Sequence, residues 1–268
     1  MTKSSLAVVG SAKKKCLQLV YEANASHIGG AFSVADILTV LYMDVLNYDA
    51  TNPSWCDRDR LFYSKGHACT ILYALLNECG YFSIEMLQSF SKDGSIFTSH
   101  VNHKVPGVEL STGSLGHALN VACGVALAGK LRNKKWNVFA VLSDGELDEG
   151  SNWEAILFAP QHKLNNLNLI IDYNKIQSLG AVQDVLNLEP LKEKFLNFGW
   201  NAIEIDGHNH AAIKQACLIK SEKPKVIIAH TIKGKGIPFM ENKLEWHYKS
   251  PSKEQLDMAL QILEDESK

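Results

Sequence analysis

The sequence has 268 residues, 46% of them hydrophobic and 21% charged, with a formal net charge of −2. That length and balance suit one large α/β domain over 1–268 and leave little room for a second, and the near-neutral charge offers no basic field for nucleic acid. The apolar run over 6–9 is too short for a signal segment and has its basic cluster on the wrong side; no apolar run is read as long enough to cross a membrane. Six cysteines, Cys16, Cys56, Cys69, Cys79, Cys123 and Cys217, show no C-x-x-C spacing, which points to reduced thiols and a cytoplasmic chain.

In chain order, an amphipathic helix is expected over 5–24, with Cys16, Leu17, Leu19 and Val20 among its apolar positions and Lys13, Lys14 and Lys15 on a solvated face. The loop Ala25-Ser26-His27-Ile28-Gly29-Gly30 follows, and a second helix is expected to begin at Ser33, capped in a box with Asp36. His27 in this glycine-flanked loop is either an exposed side chain or a site residue. A strand over 58–63 runs into Ser64-Lys65-Gly66-His67 and a helix over 68–79. That places His67 at a strand-to-helix turn, where open α/β sheets bind ligands, with capping of the helix as the alternative. Residues 96–116 are rich in glycine, serine and proline, and a loop of that length inside a compact domain tends to be functional. It carries His100 and His103. The helix expected over 118–131 is rich in small residues and can pack tightly against the sheet or another subunit.

The centre of the sequence is the stretch 137–180. An apolar strand over 138–142 stops at Ser143-Asp144-Gly145, and Glu146, Asp148 and Glu149 precede a helix over 152–163, where acidic residues suit the helix dipole. A second strand over 167–171 closes with Asp172-Tyr173-Asn174. Strand-helix-strand of this length is a right-handed crossover, so both strand tips lie on one edge of the sheet and Asp144 meets Asn174 there. Two hard oxygen ligands suit Mg²⁺ or Ca²⁺ but are too few alone; water, a backbone carbonyl and the oxygens of a bound di- or triphosphate complete such a shell. Gly145 lets the backbone approach those oxygens. Helices over 191–198 and 211–220 and strands over 200–205 and 226–229 complete a sheet of about five strands, so the fold class is α/β, doubly wound, mostly parallel, with helices on both faces. The segment His230-Thr231-Ile232-Lys233-Gly234-Lys235-Gly236 reads as an anion-holding loop or, more simply, a flexible exit, and an amphipathic helix over 253–264 comes last. No G-x-G-x-x-G follows the first strand, which speaks against a dinucleotide-binding dehydrogenase.

Asp144-Gly145 with Asn174 beyond it resembles the diphosphate-and-metal motif of thiamine diphosphate enzymes. His27-Ile28-Gly29-Gly30, Ser64-Lys65-Gly66-His67, the run PGVELSTGSLG over 106–116 and WHYKSP over 246–251 resemble the transketolase family. The resemblance implies the thiamine diphosphate-binding fold, with thiamine diphosphate and Mg²⁺ (or Ca²⁺) as cofactors. It implies that His27 faces substrate and cofactor, that His100 faces substrate, and that His67 and His247 contact the cofactor diphosphate. The backbones of Gly113 and Leu115 would receive the aminopyrimidine, Asp144, Asn174 and the Ile176 carbonyl would hold the metal, and Gly145 and Glu149 belong to the diphosphate motif. Residues 177–180 would form a loop over the diphosphate, and His103 falls at a variable position. The implied reaction transfers a two-carbon ketol unit from a ketose (phosphate) to an aldose (phosphate), with the four histidines moving protons on sugar hydroxyls. The family activates its cofactor with a glutamate on a pyrimidine-binding domain that this sequence lacks. A separate C-terminal subunit carrying that domain is therefore expected, in an α2β2 heterotetramer, with this chain inactive alone and no nucleic acid or membrane partner. Ser143 stands where the family often has glycine, and His117-Ala118 where it often has Gln-Gly; Asp148 is expected to face solvent. The alternatives are a decarboxylating carboligase of the deoxyxylulose phosphate synthase kind and a non-catalytic cofactor-binding subunit.

Overall fold

A computed structural model describes residues 4–265. Its main sheet contains β1 (Arg60–Tyr63), β2 (Val138–Ser143), β3 (Leu167–Tyr173), β6 (Asn201–Asp206) and β7 (Lys225–His230), while β4 (Ile176–Gln177) and β5 (Gly180–Ala181) form a separate antiparallel hairpin. The main sheet runs β1-β2-β3-β7-β6, and every neighbouring pair is parallel. Every residue of β2 and β3 is buried, as parallel strands covered on both faces require. Edge strand β6 alternates instead.

Around the sheet lie α1 (Ser5–Glu22), α2 (Ile28–Val40), α3 (Cys69–Glu78), α4 (Ile84–Leu87), α5 (Ala118–Leu131), α6 (Gly150–Gln161), α7 (Val182–Val185), α8 (Leu191–Asn197), α9 (His210–Leu218) and α10 (Lys253–Asp265). Strand alternation sorts them into two layers. Phe139, Val141, Ile170 and Ile227 join the core built with α1, α2, α3, α9 and α10. Val138, Ala140, Leu169, Ile171 and Ile228 join the one built with α5, α6 and α8. The doubly wound architecture expected from the sequence is thus observed. Ala118, Leu119, Ala122, Cys123 and Ala126 of α5 are buried in the second layer, so its small residues serve close packing within the chain. All six cysteines are unpaired.

Three expectations are corrected. Helix α2 begins at Ile28, five residues before Ser33, because His27 takes a left-handed conformation at φ 72° that turns the chain directly into it. Gly29 and Gly30 are helical and admit close neighbours: a Cβ on Gly29 would lie 3.1 Å from the Trp246 carbonyl. Ser33 is therefore interior and donates to the Gly30 carbonyl at 3.0 Å, while Asp36 pairs with His208 and His210. Second, Ile28–Val45 is an eighteen-residue helical stretch long and apolar enough to cross a membrane, contrary to the expectation. Because 83% of it is buried within the fold, it is read as the central core helix. Third, Lys13 does not lie on a solvated face: it is buried, with its ammonium on the Lys235 carbonyl at 3.2 Å.

Candidate active site

The carboxyl ends of the strands deliver the candidate residues to one edge. Beyond β1 the chain turns through Ser64–His67, beyond β2 through Asp144 and Gly145, beyond β3 through Asn174, and beyond β7 through Thr231–Lys233. A cavity of about 220 Å³ opens there, and His27, His67, Gly113, Leu115, Asp144, Gly145, Asn174, Ile176 and His247 all line it. Sheet topology brings together residues far apart in sequence, at the edge where such folds place ligands.

His27 is the hub of the histidines. Its ring centroid lies 5.2 Å from that of His67, 5.2 Å from that of His247 and 6.3 Å from that of His100. Its N–H donates to the His247 carbonyl at 2.9 Å, and its Nδ1 lies 2.9 Å from the Ser26 hydroxyl. Burial, then the neighbouring His100 and Lys233, lower the His27 pKa to about 4. Burial, then Lys233 and His27, lower His247 to about 3. His67 is also held well below the usual range, first by burial and then by Lys65. Three neutral imidazoles therefore face one cavity near neutral pH. His100 is exposed beside Gly113, whose added Cβ would sit 3.0 Å from the His100 ring. His103 is turned away onto the Ser111 hydroxyl at 2.7 Å.

Asp144 is buried and accepts the Gly145 N–H at 2.8 Å and the Lys175 N–H at 2.6 Å, which locks the β2 and β3 tips together. Burial, then the nearby Asp172 carboxylate, pushes its pKa up to about 6. Asn174 Oδ1 accepts the Ile176 N–H at 3.1 Å, and the Ile176 carbonyl accepts the Lys233 ammonium at 3.0 Å. Among the described residues no cluster of three His, Cys, Asp or Glu could hold a metal, and Asp144 has no lysine or arginine in salt-bridge contact. A desolvated carboxylate with only N–H partners, beside an amide oxygen and a carbonyl on one cavity wall, fits a hard cation that draws its remaining ligands from a bound anion.

The sequence reading missed the lysines. Lys65 and Lys233 are both 1% exposed, so the segment after β7 is not a flexible exit. The Gly234 N–H donates to the Gly29 carbonyl at 2.9 Å and the Asn242 N–H to the Lys233 carbonyl at 2.9 Å, fixing the segment on both sides of the lysine side chain. Lys233 also lies 2.9 Å from His247 Nδ1. Burial, then Lys65, lowers its pKa to about 8. Lys65 pairs with buried Asp172, which also accepts the Ser33 and Thr231 hydroxyls. The signal was present in Ser64-Lys65-Gly66-His67 and in the basic glycine loop, but burial was not.

The acidic turn after β2 differs from expectation at two positions. Glu149 is exposed and does not line the cavity. Buried Glu146 takes the inner place, accepting the Ser64 hydroxyl and the Gly116 N–H, the latter at 2.9 Å. Asp148 accepts the Gln177 amide at 3.0 Å rather than facing solvent freely, so it braces the β4–β5 hairpin whose Gln177 and Ser178 line the cavity.

Comparison with known proteins agrees with this geometry. Residues 7–263 match the family model described as "Transketolase, thiamine diphosphate binding domain". The chain is 37% identical over 251 residues to a subunit of apulose-4-phosphate transketolase from Phocaeicola vulgatus, covering 92% of this chain and 89% of that one. It is 39% identical over 259 residues to the 6-deoxy-6-sulfo-D-fructose transketolase subunit SqwG of a Clostridium species, covering 95% and 94%. The crystal structure of transketolase from Campylobacter jejuni superposes with a TM-score of 0.92 at 33% identity, covering 98% of this chain but only 43% of that longer one. With the family model spanning nearly its whole length and its motifs gathered on one sheet edge, the chain belongs to the transketolase family, in the part that binds thiamine diphosphate.

Proposed function

We propose that this chain is the N-terminal subunit of a thiamine diphosphate-dependent transketolase, moving a two-carbon ketol unit from a ketose to an aldose. The observation that carries it is the grouping of neutral imidazoles around His27 on the same edge as Asp144, Asn174 and the Ile176 carbonyl. Thiamine diphosphate, when bound, would supply the electron sink that the transfer of a two-carbon ketol unit needs. Asp144, Asn174 and the Ile176 carbonyl would hold Mg²⁺ (or Ca²⁺), which would in turn hold the diphosphate. His67, His247 and Lys233 would face diphosphate oxygens, and the backbones of Gly113 and Leu115 would receive the aminopyrimidine. His27 engages Ser26 through Nδ1, so Nε2 is the atom that takes and returns a proton on a sugar hydroxyl. His100, exposed and lining an adjoining cavity that His27 and His67 also line, would meet the substrate farther from the cofactor.

The cofactor-activating glutamate would come from a separate pyrimidine-domain subunit, in an α2β2 heterotetramer, and the active site would lie at the interface of the two chains. The relatives named above as subunits support a divided enzyme, since this chain spans about nine-tenths of each. One is named for a sugar phosphate and the other for a sulfo-sugar, so we infer an anionic sugar as substrate. Six unpaired thiols support a reducing, cytoplasmic setting. Co-expression with a pyrimidine-domain subunit, followed by assay of ketol transfer between sugar phosphates, tests the proposal. Transfer that needs thiamine diphosphate, Mg²⁺ and both chains is expected. The proposal fails if Asp144→Ala leaves metal-dependent cofactor binding undiminished.

A further inference from the structure

Asp36 does not line the cofactor cavity, yet it is buried on α2 and three basic side chains converge on it. His208 Nδ1 lies 2.8 Å from Oδ2, His210 Nε2 lies 2.9 Å from Oδ1, and the Lys13 ammonium lies 3.8 Å from Oδ2. Histidines in such contacts have their tautomers set by the opposite nitrogen. His208 Nε2 accepts the backbone N–H of Ile232 at 2.8 Å, so it is unprotonated, and Nδ1 carries the proton that is donated to Asp36. His210 Nδ1 meets the Ser5 hydroxyl at 2.8 Å, which ties α1 to the same cluster. Lys13, also on α1, donates to the Lys235 carbonyl at 3.2 Å.

Two of the groups gathered on Asp36 thus end on the backbone on either side of Lys233: His208 on Ile232 and Lys13 on Lys235. Gly234 between them takes φ +78°, and a Cβ there would fall 2.6 Å from the Met240 carbonyl, so the segment follows a crowded, left-handed path. The outcome is a buried lysine whose ammonium reaches the Ile176 carbonyl and His247. An ammonium on a four-carbon stem is intrinsically mobile, so its placement depends on its backbone.

We propose that Asp36, acting through His208 and Lys13, positions the Ile232–Lys235 backbone so that Lys233 is delivered to the cofactor cradle, making Asp36 and His208 positioning residues of this enzyme. The inference rests on the reading of Lys233 as part of that cradle. His208→Gln retains an acceptor at the place of Nε2, whereas His208→Asn replaces only Nδ1 and cannot reach Ile232. Both variants keep a polar group in the cluster, so their comparison separates the Ile232 contact from general stability. The test uses the full chain, with amide exchange followed over 230–236 and with binding of inorganic pyrophosphate in the presence of Mg²⁺ as the probe. His208→Asn is expected to speed exchange in that segment and to weaken pyrophosphate binding roughly tenfold, the low end for loss of an outer-shell partner, with His208→Gln close to the parent in both. Equal behaviour of the two variants, or parent-like exchange in His208→Asn, overturns the proposal. Asp144→Ala serves as the control: if it weakens pyrophosphate binding while His208→Asn changes nothing, the relay is wrong and the cradle stands. If Asp144→Ala binds like the parent while His208→Asn still loosens the segment, the cradle reading fails and the relay survives.

Discussion

The Lys65 ammonium contacts the Asp172 carboxylate with both side chains sealed from bulk solvent, Lys65 on the wall of the cavity and Asp172 behind it. Asp172 is at the end of β3, two residues before Asn174, and it also accepts the Ser33 and Thr231 hydroxyls, so the pair joins α2, the turn after β1, β3 and the segment after β7. Removing one partner of a buried ion pair strands the other charge. Lys65→Met is therefore expected to lower unfolding free energy by about 3–5 kcal/mol. The double variant Lys65→Met/Asp172→Asn should recover part of that loss. Urea unfolding reads both; a single-variant cost below about 1 kcal/mol, the level of an exposed pair, would contradict the role given to this contact.

The depressed histidines make a signed prediction about pH. His27 and His247 titrate in the folded chain at about 4 and about 3, against an ordinary value of 6.5. Between those limits the unfolded chain binds protons that the folded chain does not, so stability rises with pH and is lost as pH falls below about 6.5. His27→Asn removes one such group while suiting the left-handed backbone at φ 72°, which asparagine tolerates. Urea midpoints measured from about pH 7.5 down to about pH 4.5 should therefore fall less steeply in the variant than in the parent, because one site of proton uptake is gone. Parallel curves would show that His27 does not carry the effect.

Lys233 supplies a third prediction. A hydrogen bond from a buried ammonium to an anion is worth about 1.5–3 kcal/mol, so Lys233→Met should weaken binding of thiamine diphosphate with Mg²⁺ by roughly 10- to 100-fold. Lys233→Arg is not expected to restore it, since a planar guanidinium does not fit a pocket closed around a point charge. Calorimetric titration of the assembled enzyme checks this. Near-parent affinity in Lys233→Met would remove the lysine from the cradle.

How much of this was legible in the sequence differs by residue. The β2-α6-β3 unit was readable because fully buried parallel strands leave continuous apolar runs and their polar tips are sharply marked: Asp144 and Asn174 stood out as residues after a run ended. His67 was legible in the same way, from its turn. The functional loop over 96–116 made candidates of both His100 and His103, and only the family resemblance chose between them; His247 rests mainly on that resemblance. What the sequence hid was burial of charge. Lys13 looked like one of three solvated lysines, and Lys233 looked mobile because glycines flank it, whereas both are fixed by partners more than two hundred or nearly sixty positions away, at Lys235 and Ile176. The start of α2 was misplaced for a related reason: Gly29 and Gly30 read as loop formers, but here they let helix α2 approach Trp246 and Lys65.

Gly66 gives the last prediction, because its neighbour is backbone and cannot move aside. A Cβ at this position would lie 2.4 Å from the carbonyl carbon and oxygen of Thr112, far inside any real contact. Thr112 is itself held, its hydroxyl donating to the Tyr63 carbonyl at 2.8 Å, while the Val101 N–H donates to the Gly66 carbonyl at 3.2 Å. The turn after β1 and the 96–116 loop therefore meet at a point that only glycine permits, with His67 on one side of it and Gly113 on the other. Gly66→Ala has to separate the two segments, which should cost about 1–3 kcal/mol of stability, as overpacking does, and widen the gap between His67 and Gly113. If the aminopyrimidine and diphosphate ends of the cofactor are received by these two residues, affinity for thiamine diphosphate should fall more than affinity for pyrophosphate, which needs only the diphosphate side. Titration of the variant with both ligands measures the difference. An equal loss for both would show that the glycine contact supports the fold without setting the width of the cofactor cleft.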